Sequence, residues 1–415
     1  MVTVFGLGFV GLTTALGFAH MGYRVYGVDV DERRKDTLRQ GKLPFYEPYM
    51  EDVLQEHLGK NFLVAEDAAE AVADSEFVFF CVGTPYGKDG SADLTYLFQA
   101  LDMAIDGIAD EKFRVMVVKS TVPPGTTAER VAPYVKEKGE KAAFISVANN
   151  PEFLREGHCW EDFIHADRIV LGCDQGKAEE MLKKLYEPMD VPVFCVSHNT
   201  GEFIKYLSNT LLATMISYSN EMARIADSIG NIETAEAFRI LHMDRRWDGC
   251  QMTSYVYPGC GYGGYCLPKD TNALLARARE TGCEPAILRE VISVNDNIAK
   301  YIAEKIKDAA GKEGDVCIGI LGLSFKPGSD DVRDTPAARI IRELQALGCK
   351  NILVYDPVAE EEFRRVYPSL AVTCVETCGQ IYERADVLAI VTAWEEFKDI
   401  KDKTDKPVVD CRYLL

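Results

Sequence analysis

The chain has 415 residues, enough for two or three domains that each bury their own core. Its formal charge of −19 argues against nucleic acid or an anionic membrane as a partner, because both need a basic face. Hydrophobic residues at 47% and charged residues at 27% are globular proportions, and no apolar run reaches the roughly 18 residues of a membrane span. An anionic substrate must therefore be met by local cations. The opening run Met1-Val2-Thr3-Val4-Phe5-Gly6 reads as a strand rather than a leader. The 13 cysteines contain no CxxC and no zinc-like pairing, so no metal is expected, and they read as reduced thiols of a cytoplasmic protein.

In chain order, residues 2 to 5 form a β-branched and aromatic run, followed by Gly6-Leu7-Gly8-Phe9-Val10-Gly11 and an apolar helical stretch through Ala19. This is the strand, glycine turn and helix order of a dinucleotide fold, which seats a pyrophosphate on the helix N-terminus. A second strand, Tyr23 to Val28, ends in Asp29, at the spacing where a carboxylate accepts ribose hydroxyls and repels the extra phosphate of NADP, so NAD is the expected cofactor. Arg34 lies close by, either against the adenosine or as an exposed helix arginine. Apolar runs at Phe77–Val82, Val115–Val118 and Phe144–Val147 alternate with helices, which predicts a parallel doubly wound sheet with ligands beyond the strands' carboxyl ends. The segments there are Gly83-Thr84-Pro85, a loop from Lys119 to Gly125, and Asn149 to Gly157. Glu152 stands just after a strand end, where a general base could face a nicotinamide, although a lone loop glutamate is usually solvated.

A helix is predicted from near Thr200 to about Ile229, about 45 Å long and able to bridge two domains and offer a dimer surface. Lys205 and Asn209 share one face of it, as oxyanion donors or as a solvated stripe. Arg245 and Arg246 follow, then a glycine-rich turn, Gly261-Tyr262-Gly263-Gly264-Tyr265, which presents Cys266, Lys269 and Asp270 within five residues. A thiolate beside a lysine is a nucleophile; a cysteine chosen blindly is a buried thiol. Helices are expected from Thr271 to about Thr281 and from about Glu284 to Ala310. After Gly311-Lys312-Glu313-Gly314 a strand-helix-strand pattern restarts, with strands at Val316–Gly322, Ile352–Tyr355 and Val387–Val391. It forms a smaller second nucleotide fold without the full glycine spacing, and its loop from Ser324 to Asp334 supplies Lys326 and Arg333. The tail adds Asp410-Cys411-Arg412.

Six stretches in this order, GLGFVG, KSTVPPGT, NPEFLREG, IKYLSNT, GYGGYCLPKD and FKPGSDDVRDTPA, give the whole chain a resemblance to the nucleotide-sugar 6-dehydrogenases, the UDP-glucose and GDP-mannose dehydrogenases, and nearest to those acting on UDP-glucose. The resemblance implies an α/β fold of two Rossmann-like doubly wound domains joined by a long central helix and a helical middle domain. Its parts would be an NAD domain at 1–196, a dimerisation domain carrying the cysteine at 197–310 and a UDP-sugar domain at 311–415. It implies a homodimer and a four-electron oxidation of a sugar C6 alcohol. Cys266 would be the nucleophile, Lys205 and Asn209 would hold the oxygen, Asp270 and Glu152 would move protons, and Thr121 would position water. The cofactor residues would be Gly6, Gly8, Phe9, Val10, Gly11, Asp29, Arg34, Gly83, Thr84, Thr121, Lys269 and Arg333. Substrate contacts would come from Glu152, Phe153, Leu154, Lys205, Asn209, Arg246, Tyr257, Gly263, Phe325, Lys326 and Arg412. Leu267-Pro268-Lys269-Asp270 resembles the glucose and mannose enzymes rather than those acting on 2-acetamido sugars, which leaves GDP-mannose as the rival substrate. Tyr265, where many relatives have serine, and Cys159-Trp160 depart from the family pattern. A two-electron alcohol dehydrogenase of the 6-phosphogluconate type and a non-catalytic nucleotide-sugar sensor are the competing readings.

Overall fold

In the computed structural model the described residues are 1–87, 90–247, 255–311 and 316–415. They divide into two compact units, one of Met1–Ser208 with Ala276–Thr281 and one of Asn209–Leu275 with Gly282–Leu415. Each is built on its own sheet.

The first unit holds eight strands: β1 (Val2–Phe5), β2 (Val25–Val28), β3 (Phe62–Val64), β4 (Phe77–Phe80), β5 (Arg114–Val118), β6 (Ile145–Asn149), β7 (Ile169–Cys173) and β8 (Val193–Val196). Their spatial order is β3-β2-β1-β4-β5-β6-β7-β8. Every pairing is parallel except β6 with β7, where Asn149 faces Gly172 across an antiparallel step. Val2, Phe77, Phe79, Val115 and Val117 point into one core cluster, while Phe5, Val78, Phe80, Met116 and Val118 point into the other. That alternation buries both faces and explains why the strands read as continuous apolar runs. The expected strand at Phe144–Val147 begins one residue later, because Phe144 closes the 3₁₀ turn Gly139–Phe144.

The second unit repeats the plan with β9 (Cys317–Leu321), β10 (Asn351–Tyr355), β11 (Thr373–Cys374), β12 (Val387–Ile390) and β13 (Val408–Asp410), all parallel, in the order β11-β10-β9-β12-β13. The repeat reaches individual hydrogen bonds. Gly6 after β1 has φ +85° and Gly322 after β9 has φ +97°. The Leu7 N–H donates to Asp29 Oδ2 at 2.6 Å, and the Leu323 N–H donates to Asp356 Oδ2 at 2.7 Å. Of the linker where the pattern restarts, residues 312–315 lie outside the described residues.

The long helix runs over His198–Ile229, two residues earlier than its sequence signal, and a later helix over Ala286–Ala309. Among the described residues no helix is long and apolar enough to cross a membrane.

One boundary needs correction. The helix expected to begin at Thr271 spans Cys266–Glu280, so Cys266, Lys269 and Asp270 lie in its first two turns rather than in the glycine loop. Pro268 does not break it, because the first four N–H groups of a helix have no intrahelical partner to lose.

Candidate active site

The glycine turn of the first unit performs three separate tasks. Gly6 adopts a left-handed φ, and a Cβ there would lie 2.9 Å from the Cys81 carbonyl oxygen. A Cβ on Gly11 would fall 1.7 Å from the Gly6 carbonyl oxygen, so helix and strand pack at a distance only glycine permits. At Gly8 a Cβ would meet nothing within 4 Å, which leaves open space at the first turn of helix Phe9–His20. No side chain among the described residues caps that turn, so its N–H groups can receive a pyrophosphate. Phe9 stacks on Phe45 with ring centroids 4.0 Å apart, and Val10 packs on the core. Asp29 is buried at the end of β2 and accepts from Leu7 N–H, from Asp31 N–H at 2.9 Å and from Arg34 Nη1 at 2.9 Å. The Arg34 contact answers the open reading of that residue: in the structure it pairs with the carboxylate.

Beyond β4 and β5 the chain lines a small cavity with Val118, Ser120, Thr121, Asn149, Glu202 and Lys205 among its walls. Gly83 is exposed, and the Thr84 hydroxyl donates to the Thr121 carbonyl at 2.8 Å. Lys205 Nζ sits 2.9 Å from Glu152 Oε1, with both side chains buried, and Glu152 Oε2 accepts the Leu154 N–H at 2.5 Å. Phe153 is covered by the Arg168 guanidinium at 4.2 Å, with the Lys205 ammonium 5.6 Å from the same ring. The solvated readings of Glu152 and Lys205 thus give way to a buried ion pair, which can take a proton and stabilise a developing alkoxide.

In the second unit Cys266 is half-buried at the first position of helix Cys266–Glu280, where the helix dipole supplies positive potential to a thiolate. Asp270, fully buried, accepts from Lys269 Nζ at 2.5 Å and from Asn209 Nδ2 at 2.6 Å. Burial pulls the Lys269 pKa down, but the Asp270 charge and hydrogen bond, with a further pull from Cys266, outweigh it and the net shift is upward. Lys269 therefore stays cationic one turn from the thiol. A Cβ on Gly263 would lie 2.5 Å from the Asp334 carbonyl oxygen, and one on Gly264 3.1 Å from the Phe325 ring. Arg333 pairs with Asp331 at 2.7 Å and lies 4.4 Å over the Tyr265 ring, and Lys269 Nζ lies 5.7 Å from the same ring centroid. Lys326 lies 5.4 Å over Phe325. Tyr257 packs edge-on against Phe238 and Tyr413, and a Cβ on Gly259 would meet Arg412 Nη1 at 2.9 Å. The backbone of Arg246 belongs to a short turn, Arg245–Trp247; its side chain lies outside the described residues.

Two other thiols of the first unit are poor rivals for Cys266. Burial pushes Cys81 up to about 12 and pushes Cys159 higher still, so both remain protonated near neutrality.

Sequence reasoning passed over several buried polar groups. Lys119 Nζ donates to Asn150 Oδ1 at 2.8 Å, an oxygen that also accepts from the Tyr186 hydroxyl at 2.6 Å. Burial lowers the Lys119 pKa against the opposing pull of Cys81 and Glu152. Glu47 accepts the N–H groups of Gly157 and Cys159 at 2.8 and 2.7 Å, tying down the far end of the loop that carries Glu152. Glu202 holds the loop after β5. The only sequence signal for these was a charged residue inside an otherwise apolar stretch.

Comparison with known proteins agrees along the whole chain. Residues 1–190 match the NAD binding domain of the UDP-glucose/GDP-mannose dehydrogenase family, residues 199–297 its central domain and residues 319–415 its UDP binding domain. The chain belongs to the UDP-glucose/GDP-mannose dehydrogenase family. This dehydrogenase is 36% identical over 408 residues to a UDP-glucose 6-dehydrogenase of Rhizobium meliloti, covering 96% of the chain and 90% of the relative. It is 37% identical to one from Pseudomonas aeruginosa, covering 95% and 88%. A solved UDP-glucose dehydrogenase from the archaeon Pyrobaculum islandicum superposes with a TM-score of 0.92 at 38% identity, covering 100% of this chain and 94% of that one. As a family member the chain is an NAD-dependent nucleotide-sugar oxidoreductase, with its NAD domain on the eight-stranded sheet.

Proposed function

We propose that this dehydrogenase converts UDP-glucose to UDP-glucuronate by two successive oxidations at C6, through a thiohemiacetal and a thioester on Cys266. The observation that carries the reading is the position of Cys266, a half-buried thiol opening a 15-residue helix with Lys269 held cationic one turn on. NAD, when bound, accepts a hydride in each oxidation; Gly6, Gly8, Phe9, Val10, Gly11 and Asp29 would hold it, joined by Gly83, Thr84 and Arg333. Glu152 takes the C6 hydroxyl proton while Lys205 and Asn209 stabilise the oxygen. An aldehyde has no leaving group, so the thiol adds to it and gives a carbon that can be oxidised again. Thr121 and Asp270 then direct the water that releases the acid. Arg246, Tyr257, Phe325, Lys326 and Arg412 would receive the nucleotide sugar.

UDP-glucose is favoured over GDP-mannose by the UDP-glucose 6-dehydrogenases among its relatives, whereas the Leu267-Pro268-Lys269-Asp270 sequence speaks only against 2-acetamido sugars. The helix His198–Ile229 leaves Phe203, Leu207, Leu211, Tyr218, Ile225 and Ile229 exposed, at steps of four and seven residues along one face. Such a stripe supports a homodimer through residues 197–310. The reading includes a cytoplasmic location, supported by 13 cysteines that show no paired spacing of a disulfide framework. The test of substrate is kcat/KM for UDP-glucose and GDP-mannose offered separately. The expected preference for UDP-glucose is about 10²-fold or more; faster turnover of GDP-mannose would keep the chemistry and replace the substrate.

A further inference from the structure

Glu202 is a buried carboxylate that makes no ion pair among the described residues. It accepts three hydrogen bonds from one short turn: Gly125 N–H at 2.7 Å, Thr127 N–H at 2.7 Å and the Thr127 hydroxyl at 2.6 Å. Burying an acid in this way is costly unless the donors are good, and here they are all supplied by the turn that follows Thr121-Val122-Pro123-Pro124. The same turn is gripped from its carbonyl side by Arg277, whose Nε donates to the Pro124 carbonyl at 3.1 Å and whose Nη2 reaches Glu129 at 2.6 Å. Gly125 sits at φ +97°, and a Cβ there would strike both Glu129 and Arg277. The segment then enters a π-helical turn, Thr127–Val131, a geometry that persists only where its surroundings hold it. At the other end, Thr84 secures the carbonyl of Thr121, and Thr121 faces the cavity shared with Glu202 and Lys205.

We propose that Glu202 and Arg277 are positioning residues that clamp the Pro123–Thr127 turn and thereby fix Thr121 for the hydrolytic step. The inference rests on the thioester reading above and adds to it the groups that hold the water-directing loop. Both act through the turn, whose backbone they hold from opposite groups, the amides by Glu202 and the Pro124 carbonyl by Arg277. Glu202→Gln keeps shape but presents an amide N–H₂ to one of the donors, so the turn loses at least one anchor. A displacement of about 1 Å at such a site costs about 10²-fold in rate. The loss should fall on hydrolysis and spare the hydride transfers that precede it.

The experiment is rapid mixing of wild type, Glu202→Gln and Arg277→Gln with NAD and UDP-glucose, following NADH and the intact mass of the protein. Glu202→Gln is expected to release a burst approaching two NADH per site, then turn over about 10²-fold more slowly than wild type, with KM for NAD within about twofold and a uronyl adduct on the enzyme. Arg277→Gln, at a partly exposed position, should show the same burst and adduct with a smaller loss, and it decides the matter if Glu202→Gln does not fold. Unchanged kcat in the folded variant, or a loss shared equally by burst and steady phases with no adduct, overturns the positioning role. Failure of the wild type to form two NADH per sugar is a separate result that removes the thioester reading beneath it.

Discussion

Cys266→Ser is expected to abolish uronate formation, by on the order of 10⁴-fold or more, the scale lost when a catalytic nucleophile is removed. A serine hydroxyl is a far weaker nucleophile than a thiol, and the Cys266 thiol sits at a helix N-terminus with cationic Lys269 one turn away. Without the thiol adduct the sugar stops at the aldehyde. NAD binding should survive, because the dinucleotide turn from Gly6 to Gly11 belongs to the other compact unit. The measurement is uronate by chromatography alongside NAD affinity by calorimetry. Normal acid output from the variant would remove Cys266 from the mechanism.

The second large effect concerns the pair Lys205–Glu152. Lys205→Met should lower kcat by about 10²–10³, the range for losing one donor to a developing oxyanion. It should also destabilise the fold by about 3–5 kcal/mol, because Glu152 would be left buried without its cation. The two consequences separate in the double variant Lys205→Met/Glu152→Gln. Removing both charges should recover most of the stability, read from urea unfolding, while kcat stays low. Recovery of activity together with stability would make the pair structural only.

The glycine turn and its aspartate were readable because backbone geometry dictates residue type: only glycine tolerates φ +85° at Gly6 and the contact at Gly11. The long helix was readable from its length and its stop at Gly230. Strands β3, β7 and β8 were not anticipated. Phe62–Val64 has three residues, too few for a period, and Ile169–Cys173 and Val193–Val196 are short runs next to charged helices. The helix that carries Cys266 begins five residues before its predicted start because Gly263, Gly264 and Pro268 all signal a loop, although proline is compatible with a first turn. The second nucleotide fold lacks the full glycine spacing, yet Gly322 and Asp356 reproduce the hydrogen bonds of Gly6 and Asp29. Spacing beyond the first glycine was the weaker signal there. Glu202, Glu47 and Lys119 act through backbone amides and a buried amide side chain that are distant in sequence, and partners of that kind leave no local pattern.

The most direct test of the account is the number of NADH formed per UDP-glucose consumed by the wild-type enzyme. Two NADH, with UDP-glucuronate as the product, is the predicted result and requires a second oxidation at the same carbon. One NADH with an aldehyde product would contradict it, leaving a two-electron alcohol dehydrogenase in which Cys266 takes no part.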